Sequence, residues 1–273
     1  MDMSVAFILA SMATMLLGGI VALVLGKSAK AASWAGCGGA VLGCLLGLIG
    51  AGRVLYLGQD IMLRQNWSIP YGAFCLKADA LSAYFLLPIF VLSGLAAIYG
   101  FEYLRPYQKE KSLGPPWFCF NLLLANMVLV VLAANGMLFL MAWELMSLSS
   151  YFLVTFEHEQ PQVRRAGWIY LMAAHVGVIA LFLMFGLFSR ASGSMDFSTF
   201  GSGGANATLL FLLALIGFGT KAGIMPLHFW LPEAHPVAPS HVSAGMSGVM
   251  IKTGIYGMLR MLTIIGPPQP WWG

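Results

Sequence analysis

The sequence contains very few charged residues. Only 9% of its 273 residues are Asp, Glu, Lys or Arg, whereas 59% are hydrophobic. A soluble domain carries about a quarter charged residues, so this chain lacks the side chains that a water-facing surface needs. Apolar stretches of about 20 residues, each long enough to cross the hydrocarbon core of a bilayer, recur along the whole chain. The composition therefore excludes soluble, DNA-binding and secreted disulfide-rich proteins and predicts an integral membrane protein.

Cysteine and recognised catalytic motifs are also scarce. The four cysteines, Cys37, Cys44, Cys75 and Cys119, form no CxxC pair, so we assign them no metal or disulfide role. The sequence has no phosphate-binding loop, no Ser-His-Asp constellation and no histidine spacing suited to haem. A basic n-region and a small-residue cleavage site are missing at the N-terminus, so the first apolar stretch is expected to be a retained helix. We predict no catalytic residue, metal site or cofactor in this chain, and we expect its chemistry to be ion movement.

Eight apolar stretches predict an all-α polytopic transmembrane bundle that forms a single domain over residues 1–273. The predicted spans are 5–26, 33–57, 79–100, 117–134, 136–155, 165–189, 206–233 and 241–264. With the N-terminus outside, the inner loops hold seven Lys and Arg residues against five in the outer segments and helix ends. The positive-inside rule therefore predicts a multi-pass protein of the inner (plasma) membrane with its N-terminus outside.

The seventh predicted span contains residues that interrupt a helix. Its ordinary helical pattern ends in a stretch that includes Gly223 and Pro226, and a proline removes a backbone donor and clashes with the preceding turn. We expect the helix to break near Pro226 and a short second piece to follow at 227–233. Broken helices in membranes commonly mark ion sites, because protein groups or water must satisfy the freed carbonyls. We therefore predict an ion site at this break, with a merely structural kink as the alternative.

Three charged residues are predicted to lie inside apolar spans, namely Glu144 in the fifth, Lys221 in the seventh and Lys252 in the eighth. A charge at the bilayer centre costs at least roughly 2.5–3.5 kcal/mol, so each of them needs a partner or water. We expect Glu144 to face Lys221 and Lys252 to lie on a hydrated path. A static ion pair that only orders the bundle is the alternative. Asp79 and Glu102, in contrast, lie at span edges, where carboxylates are ordinary.

Histidines accompany these charges in the last three spans. His175 lies inside the sixth span, His228 and His235 flank the short piece after the break, and His241 begins the eighth. Histidine titrates near neutral pH and can both donate and accept a proton. We therefore predict that they extend a proton relay, although a lone histidine in a helix is more often a satisfied core residue.

Two regions of the sequence resemble a known family. Residues 221–236 read KAGIMPLHFWLPEAHP and continue as APSHVSAGMSGVMIK over 238–252, while residues 143–154 read WELMSLSSYFLV. These runs resemble the antiporter-like subunits of respiratory complex I, Mrp cation/proton antiporters and membrane-bound hydrogenases. Within that family the 143–154 run, together with His175 and His241, is most similar to the large membrane subunit of formate hydrogenlyase and its hydrogenase-4 relative. The resemblance covers about residues 79–260.

This resemblance implies roles for the candidate residues. Glu144 and Lys221 would form the ion pair of a first half-channel, Lys252 would be the connecting lysine, and His228 and His175 would lie near the path. His241 belongs to the matching run of the eighth span. The family also implies other membrane subunits and a peripheral hydrogenase or dehydrogenase arm as partners, in which nickel–iron and iron–sulfur centres drive ion movement.

The resemblance leaves the complex and the extent of the channel open. Alternatives to the hydrogenase-type subunit are an Mrp-type sodium/proton antiporter subunit and a membrane anchor with an idle channel. The family builds its channel from two inverted five-helix repeats, and residues 117–264 match the first. Because the sequence ends after the eighth span, we expect that either the chain is a fragment or a partner supplies the remainder.

Overall fold

A computed structural model describes residues 2–67, 72–201, 206–266 and 269–272. Within these residues the chain forms ten α-helices and one antiparallel β-hairpin. The helices are α1 (Met3–Val24), α2 (Ala29–Leu57), α3 (Ala80–Tyr103), α4 (Gly114–Leu132), α5 (Gly136–Val154), α6 (Pro161–Ser192), α7 (Ala207–Ala222), α8 (Leu231–Val237), α9 (Ser240–Gly245) and α10 (Ile251–Ile265). Seven helical spans in the described residues are long and apolar enough to cross a membrane, and α7 is a shorter apolar helix. The predicted all-α, multi-pass fold is confirmed, and each predicted span corresponds to helix in the structure.

Small residues and polar caps explain how these helices begin and pack. Asp79 accepts a hydrogen bond of 2.9 Å from the backbone N–H of Ser82 and so begins α3, as an N-cap carboxylate does. The backbones of α1 and α2 touch at Gly18 and Gly39, where a Cβ on either residue would lie 2.6 Å from the Cα of the other. Close contact through small residues is the usual way in which helices associate in membranes.

The β-hairpin was not predicted. Its strands, β1 (Ile61–Asn66) and β2 (Ala73–Ala78), pair in antiparallel register with Ile61 opposite Ala78. The hairpin lies between α2 and α3 at the end of the bundle where α5 begins, because Ala134 donates a 2.9 Å backbone hydrogen bond to the carbonyl of Cys75. Two short 3₁₀ turns, Arg105–Lys109 and Phe197–Thr199, complete the connections.

The seventh span is broken, as predicted. Helix α7 ends at Ala222, and Gly223 follows in the left-handed conformation with φ of 74°. The second helical piece, α8, begins at Leu231 rather than at residue 227, so the predicted 227–233 piece is displaced towards the C-terminus. Pro232 explains this displacement, since it lies in the first turn of α8, where a missing N–H leaves no helical hydrogen bond unmade.

The eighth span is also irregular. It consists of α9, a π-helical turn over Met246–Met250, and α10. A π-helical turn inside an α-helix is rare and frequently lies at a functional site. This turn lies directly before Lys252, so both candidate lysines adjoin an irregular stretch of helix.

Candidate ion site at the broken seventh helix

Lys221 lies in the last turn of α7 and is only 3% exposed. Its Nζ donates hydrogen bonds of 2.9 Å to Oγ of Ser147 on α5 and to the hydroxyl of Tyr170 on α6. Nζ also lies 5.2 Å from the ring centroid of Tyr170 and 5.9 Å from that of Trp143, within the range of a cation–π contact. The structure therefore places Lys221 inside the bundle, as its sequence position predicts.

Close helix packing positions Lys221 against its partners. A Cβ at Gly177 of α6 would lie only 3.1 Å from the carbonyl oxygen of Gly217 on α7, so the two backbones approach each other directly. The break that follows α7 frees carbonyls, and Trp230 satisfies one of them by donating a 2.8 Å hydrogen bond from Nε1 to the carbonyl of Thr220. The break is thus stabilised by protein groups, as irregular backbone at membrane depth requires.

A small cavity adjoins the Lys221 ammonium. Its volume is about 10 Å³, close to the smallest space that admits one water molecule. The residues that line it come from α5, α6, α7 and the segment before α8: Trp143, Tyr170, Ala174, Gly177, Gly217, Thr220, Lys221 and Trp230. Lys221 and Tyr170 are thus both among the residues that would surround a single water in this cavity.

Hydroxyl groups, rather than carboxylates, surround the lysine. The Tyr170 hydroxyl is hydrogen-bonded to Ser150 Oγ as well as to Lys221. Ser147 Oγ donates a hydrogen bond of 3.0 Å to the carbonyl of Trp143. A hydroxyl can both donate and accept. The amine can therefore keep hydrogen bonds whether it holds three protons or two, which is what a group that passes on a proton needs.

The expected contact between Glu144 and Lys221 is not a direct one. In the described residues no carboxylate lies within 4 Å of the Lys221 ammonium. Glu144 is half-buried and shares the outer face of α5 with Met141 and Leu145, which are 38% and 42% exposed. Ser147, one turn further along α5, points inward and binds the lysine in place of the carboxylate.

Lys252 and His175 lie inside apolar spans, as predicted, but both are exposed on the outer faces of their helices rather than in the interior of the bundle. Lys252 shares the outer face of α10 with Ile255 and Leu259, each 41% exposed. His175 lies on the outer face of α6 with its Nδ1 2.8 Å from the carbonyl of Leu171. Both residues lie well inside apolar spans, but depth in a span does not determine which face of a helix meets the core.

His241 is buried in a cage of aromatic rings. It is 2% exposed, and its ring centroid lies 5.6 Å from those of Tyr103 and Phe120 and 6.4 Å from that of Trp117. Gly100 makes room for it, because a Cβ there would lie 2.8 Å from Cδ2 of the imidazole. Its Nδ1 has no hydrogen-bond partner among the described residues.

The other two histidines lie at the break. His228 is half-buried, and a Cβ added to Gly223 would lie 3.8 Å from its Cβ. Its Nδ1 is likewise without a hydrogen-bond partner in the described part of the chain. His235 on α8 has its Nδ1 2.9 Å from the Ser243 hydroxyl of α9. The structure therefore gathers Lys221 and His228 around one break, with Glu144, Lys252 and His175 on outer faces and His241 in a separate cage.

The sequence analysis missed a buried ion pair between Asp79 and Arg260. The guanidinium of Arg260 donates 2.6 and 2.8 Å hydrogen bonds to the two carboxylate oxygens of Asp79, and further bonds to Ser82 Oγ and the Tyr256 hydroxyl. Burial alone would raise the pKa of Asp79, but the hydrogen bonds from Arg260 and the Ser82 N–H outweigh it and hold this pKa well below its usual value. Asp79 is therefore a permanent counter-charge rather than an ordinary carboxylate at a span edge.

A second buried carboxylate, Asp196, joins the hairpin to the bundle. It is 1% exposed, pairs with Arg64 of β1 at 2.7 Å, and accepts a 2.8 Å hydrogen bond from the side chain of Asn135 at the start of α5. No group of three or more His, Cys, Asp or Glu side chains in the described residues is arranged as metal ligands are. The ionisable groups at this end of the bundle thus tie elements together.

Comparisons with known proteins agree with this fold. The family model described as NADH:quinone oxidoreductase/Mrp antiporter, TM matches residues 133–273. Hydrogenase-4 component B of Escherichia coli (strain K12) is 38% identical over 240 residues, which are 85% of this chain and 35% of that protein. Formate hydrogenlyase subunit 3 of the same strain is 28% identical over 200 residues, which are 72% of this chain and 31% of that protein. The chain thus spans about a third of the length of these relatives.

A solved structure shares the same fold. A chain in the structure of the Mrp complex from Dietzia sp. DQ12-45-1b superposes with a TM-score of 0.78 and 22% identity, covering 94% of this chain and 28% of that chain. The matched family region begins just before α5 and includes Lys221, the break and Lys252. On the family model, the relatives and the fold together, this chain belongs to the NADH:quinone oxidoreductase/Mrp antiporter family of antiporter-like membrane subunits.

Proposed function

We propose that this chain translocates protons as a membrane subunit of a redox-driven multisubunit complex of the hydrogenase or formate hydrogenlyase type. The observation that supports this most directly is Lys221, a buried lysine that is held by two hydroxyls at a broken helix and has no carboxylate within 4 Å in the described residues. An ionisable residue inside a membrane span is costly and usually functional. The 38% identity with Hydrogenase-4 component B supports the hydrogenase type.

In this proposal protons pass between Glu144, Lys221 and Lys252, with His228 at the break and His175 and His241 nearby. Glu144 and Lys252 lie on outer faces of the chain, so membrane neighbours in the assembled complex would complete the path on either side of Lys221. Nickel–iron and iron–sulfur centres would lie in partner subunits of a peripheral arm. The chain would be placed in the inner (plasma) membrane with its N-terminus outside, following the weak excess of Lys and Arg in the inner loops.

Two other functions share the same fold. The likeness to a chain of the Mrp complex favours an Mrp-type sodium/proton antiporter subunit as the second candidate. That function would need no redox partner. A membrane anchor with an idle channel is the third candidate, and in that case Lys221 would only order the bundle.

The test uses the assembled complex in sealed vesicles. Lys221→Met and Lys252→Met are each expected to abolish proton uptake coupled to redox turnover while electron transfer between the partner subunits persists. Lys30→Met, which changes an exposed lysine in the first turn of α2, is the matched control and should leave coupled uptake unchanged. Unchanged coupled proton uptake in Lys221→Met would reject the proposed path and favour the membrane anchor with an idle channel. Sodium-dependent proton exchange in vesicles without any redox subunit would instead establish the antiporter.

A further inference from the structure

A cleft of about 640 Å³ opens where α4 and α6 begin and α5 ends. This volume is typical of a site for a small-molecule ligand. Its lining includes Lys111, Cys119, Phe152, His158, Arg164 and Trp168. The cleft belongs to neither the Lys221 site nor the Asp79–Arg260 pair, and residues of the α3–α4 and α5–α6 connections form its mouth.

The mouth of the cleft is basic. Arg164 is exposed, and its Nη1 donates 2.8 and 2.9 Å hydrogen bonds to the carbonyls of His158 and Glu159. These bonds fix the guanidinium in place, and no group in the described residues accepts from its Nε or Nη2. Lys111 lies across the mouth, with its Nζ 5.1 Å from the ring centroid of Phe156 and hydrogen-bonded to the Phe156 carbonyl at 3.3 Å.

The body of the cleft is apolar and open to the surroundings of the bundle. Phe152 and Trp168 line it and are 59% and 60% exposed. Trp168 is seven residues beyond the start of α6, which places it about 10 Å into the span. Tryptophan is enriched at this depth, where the headgroup region of a bilayer meets the hydrocarbon. A ligand that fits the whole cleft therefore needs an anionic group at one end and a hydrocarbon at the other.

One carboxylate competes for this basic mouth. Glu159 Oε2 accepts a 2.8 Å hydrogen bond from Lys111, but Glu159 is 59% exposed, and exposed ion pairs contribute only about 0–1 kcal/mol. A phosphate can therefore displace it from Lys111. Among the described residues Arg164 donates to carbonyls alone, so the mouth retains a positive charge even with the Lys111–Glu159 pair intact.

We infer that this cleft binds one anionic phospholipid, with its phosphate between Lys111 and Arg164 and its acyl chains along Phe152 and Trp168. Basic pockets between transmembrane helices recognise such headgroups. A free phosphate would use the mouth only and leave the apolar body unexplained. The exposed aromatic side chains lie on the outer surface of spans, where lipid chains reach them without any opening of the bundle. The inference is independent of the proposed proton path.

The experiment measures how much phosphatidylglycerol the purified, assembled complex binds in detergent, with phosphatidylcholine and glycerol phosphate as the other probes. Each Lys or Arg near an anionic lipid contributes about 1 kcal/mol, or about a five-fold change in affinity. Lys111→Gln and Arg164→Gln should each lower phosphatidylglycerol affinity about five-fold, and Glu159→Gln should raise it. Arg105→Gln, which changes an exposed arginine paired with Glu102 outside the cleft, is the matched control.

Trp168→Ala separates lipid from phosphate, because it should weaken binding of phosphatidylglycerol without affecting any binding of glycerol phosphate. Equal affinity for phosphatidylcholine and phosphatidylglycerol would overturn the inference. So would glycerol phosphate binding as tightly as the lipid, or a partner subunit occupying the cleft in the assembled complex. A Glu159→Gln variant that binds less phosphatidylglycerol would contradict the assigned position of the phosphate.

Discussion

Arg260 donates two hydrogen bonds, of 2.6 and 2.8 Å, to the carboxylate of Asp79, although the two residues are 181 positions apart in the sequence. Lys221 is also withdrawn from solvent, yet its hydrogen bonds go to the hydroxyls of Ser147 and Tyr170. An arginine clamped by a carboxylate stays charged, whereas hydroxyls accommodate an amine in either protonation state. The two cations therefore have different physical roles, and substitutions should separate them.

The first prediction concerns the hydroxyl partners of Lys221. Ser147→Ala removes one acceptor from a buried ammonium and should lower the free energy of unfolding by roughly 1–3 kcal/mol. Lys221→Met should keep or raise stability, because it removes a buried charge that no carboxylate among the described residues pairs with. In the Lys221→Met background, Ser147→Ala should lower the free energy of unfolding by a smaller amount. Melting temperatures of the four assembled complexes measure this coupling, and an equal cost of Ser147→Ala in both backgrounds would contradict it.

The second prediction concerns the Asp79–Arg260 pair. Asp79→Asn leaves Arg260 buried without its counter-charge and should destabilise the chain by about 3–5 kcal/mol. Asp60→Asn is the matched control, since Asp60 is 61% exposed and its one ion pair among the described residues is with Lys77. That change should lower the free energy of unfolding by about 0–1 kcal/mol. Thermal unfolding of the purified complex distinguishes the two, and similar losses for both variants would show that the pair at Asp79 contributes no special stability.

The third prediction is a pH dependence that follows from the lowered pKa of Asp79. A carboxyl whose folded-state pKa lies below its unfolded value stabilises the fold at every pH above the unfolded pKa of about 3.9. That stabilisation is lost as the pH falls below this value towards the lowered pKa. The melting temperature of the parent protein should therefore exceed that of Asp79→Asn by a constant amount between pH 6 and 8. The difference should shrink below about pH 4, and a difference that already shrinks at pH 6 would disprove the lowered pKa.

The fourth prediction concerns the residue that ends α7. Gly223 has φ of 74°, and a Cβ there would lie 2.3 Å from Cδ1 of Leu231. Gly223→Ala should therefore destabilise the break by at least about 1–2 kcal/mol from the left-handed backbone alone. Gly186→Ala in α6 is the control, because nothing lies within 4 Å of a Cβ at that position. Its substitution should be neutral or stabilise slightly, as melting temperatures of the two variants would reveal.

The sequence was sufficient to predict the spans and the break because their signals are local. A run of about 20 apolar residues has one physical solution in a membrane, namely a helix. Gly223 and Pro226 interrupt such a run within four residues, so the position of the break is readable without any partner.

The contacts of the charged residues could not be predicted in the same way. Nothing near Asp79 in the sequence names Arg260 as its partner, because the two meet only when α3 and α10 pack together. The position of Lys252 well inside an apolar span predicts its depth in the membrane, but whether it faces protein depends on how α10 packs against the other helices. The hydrogen bonds of Lys221 to the hydroxyls of Ser147 and Tyr170 could not be predicted either, because they form only when α5, α6 and α7 pack together.

The π-helical turn at Met246–Met250 has a geometric consequence for the two titratable residues on either side of it. Eleven residues separate His241 from Lys252, which is close to three full turns of an undistorted α-helix, so the two would lie on one stripe. The extra residue in the π turn rotates everything after it by roughly 100°, and the imidazole accordingly faces inward while the ammonium faces outward. Deleting one residue from this turn would restore a regular α-helix in which the two groups are ten positions apart, so they would still lie roughly 80° apart around the helix. The register of a single turn therefore fixes the angle between them.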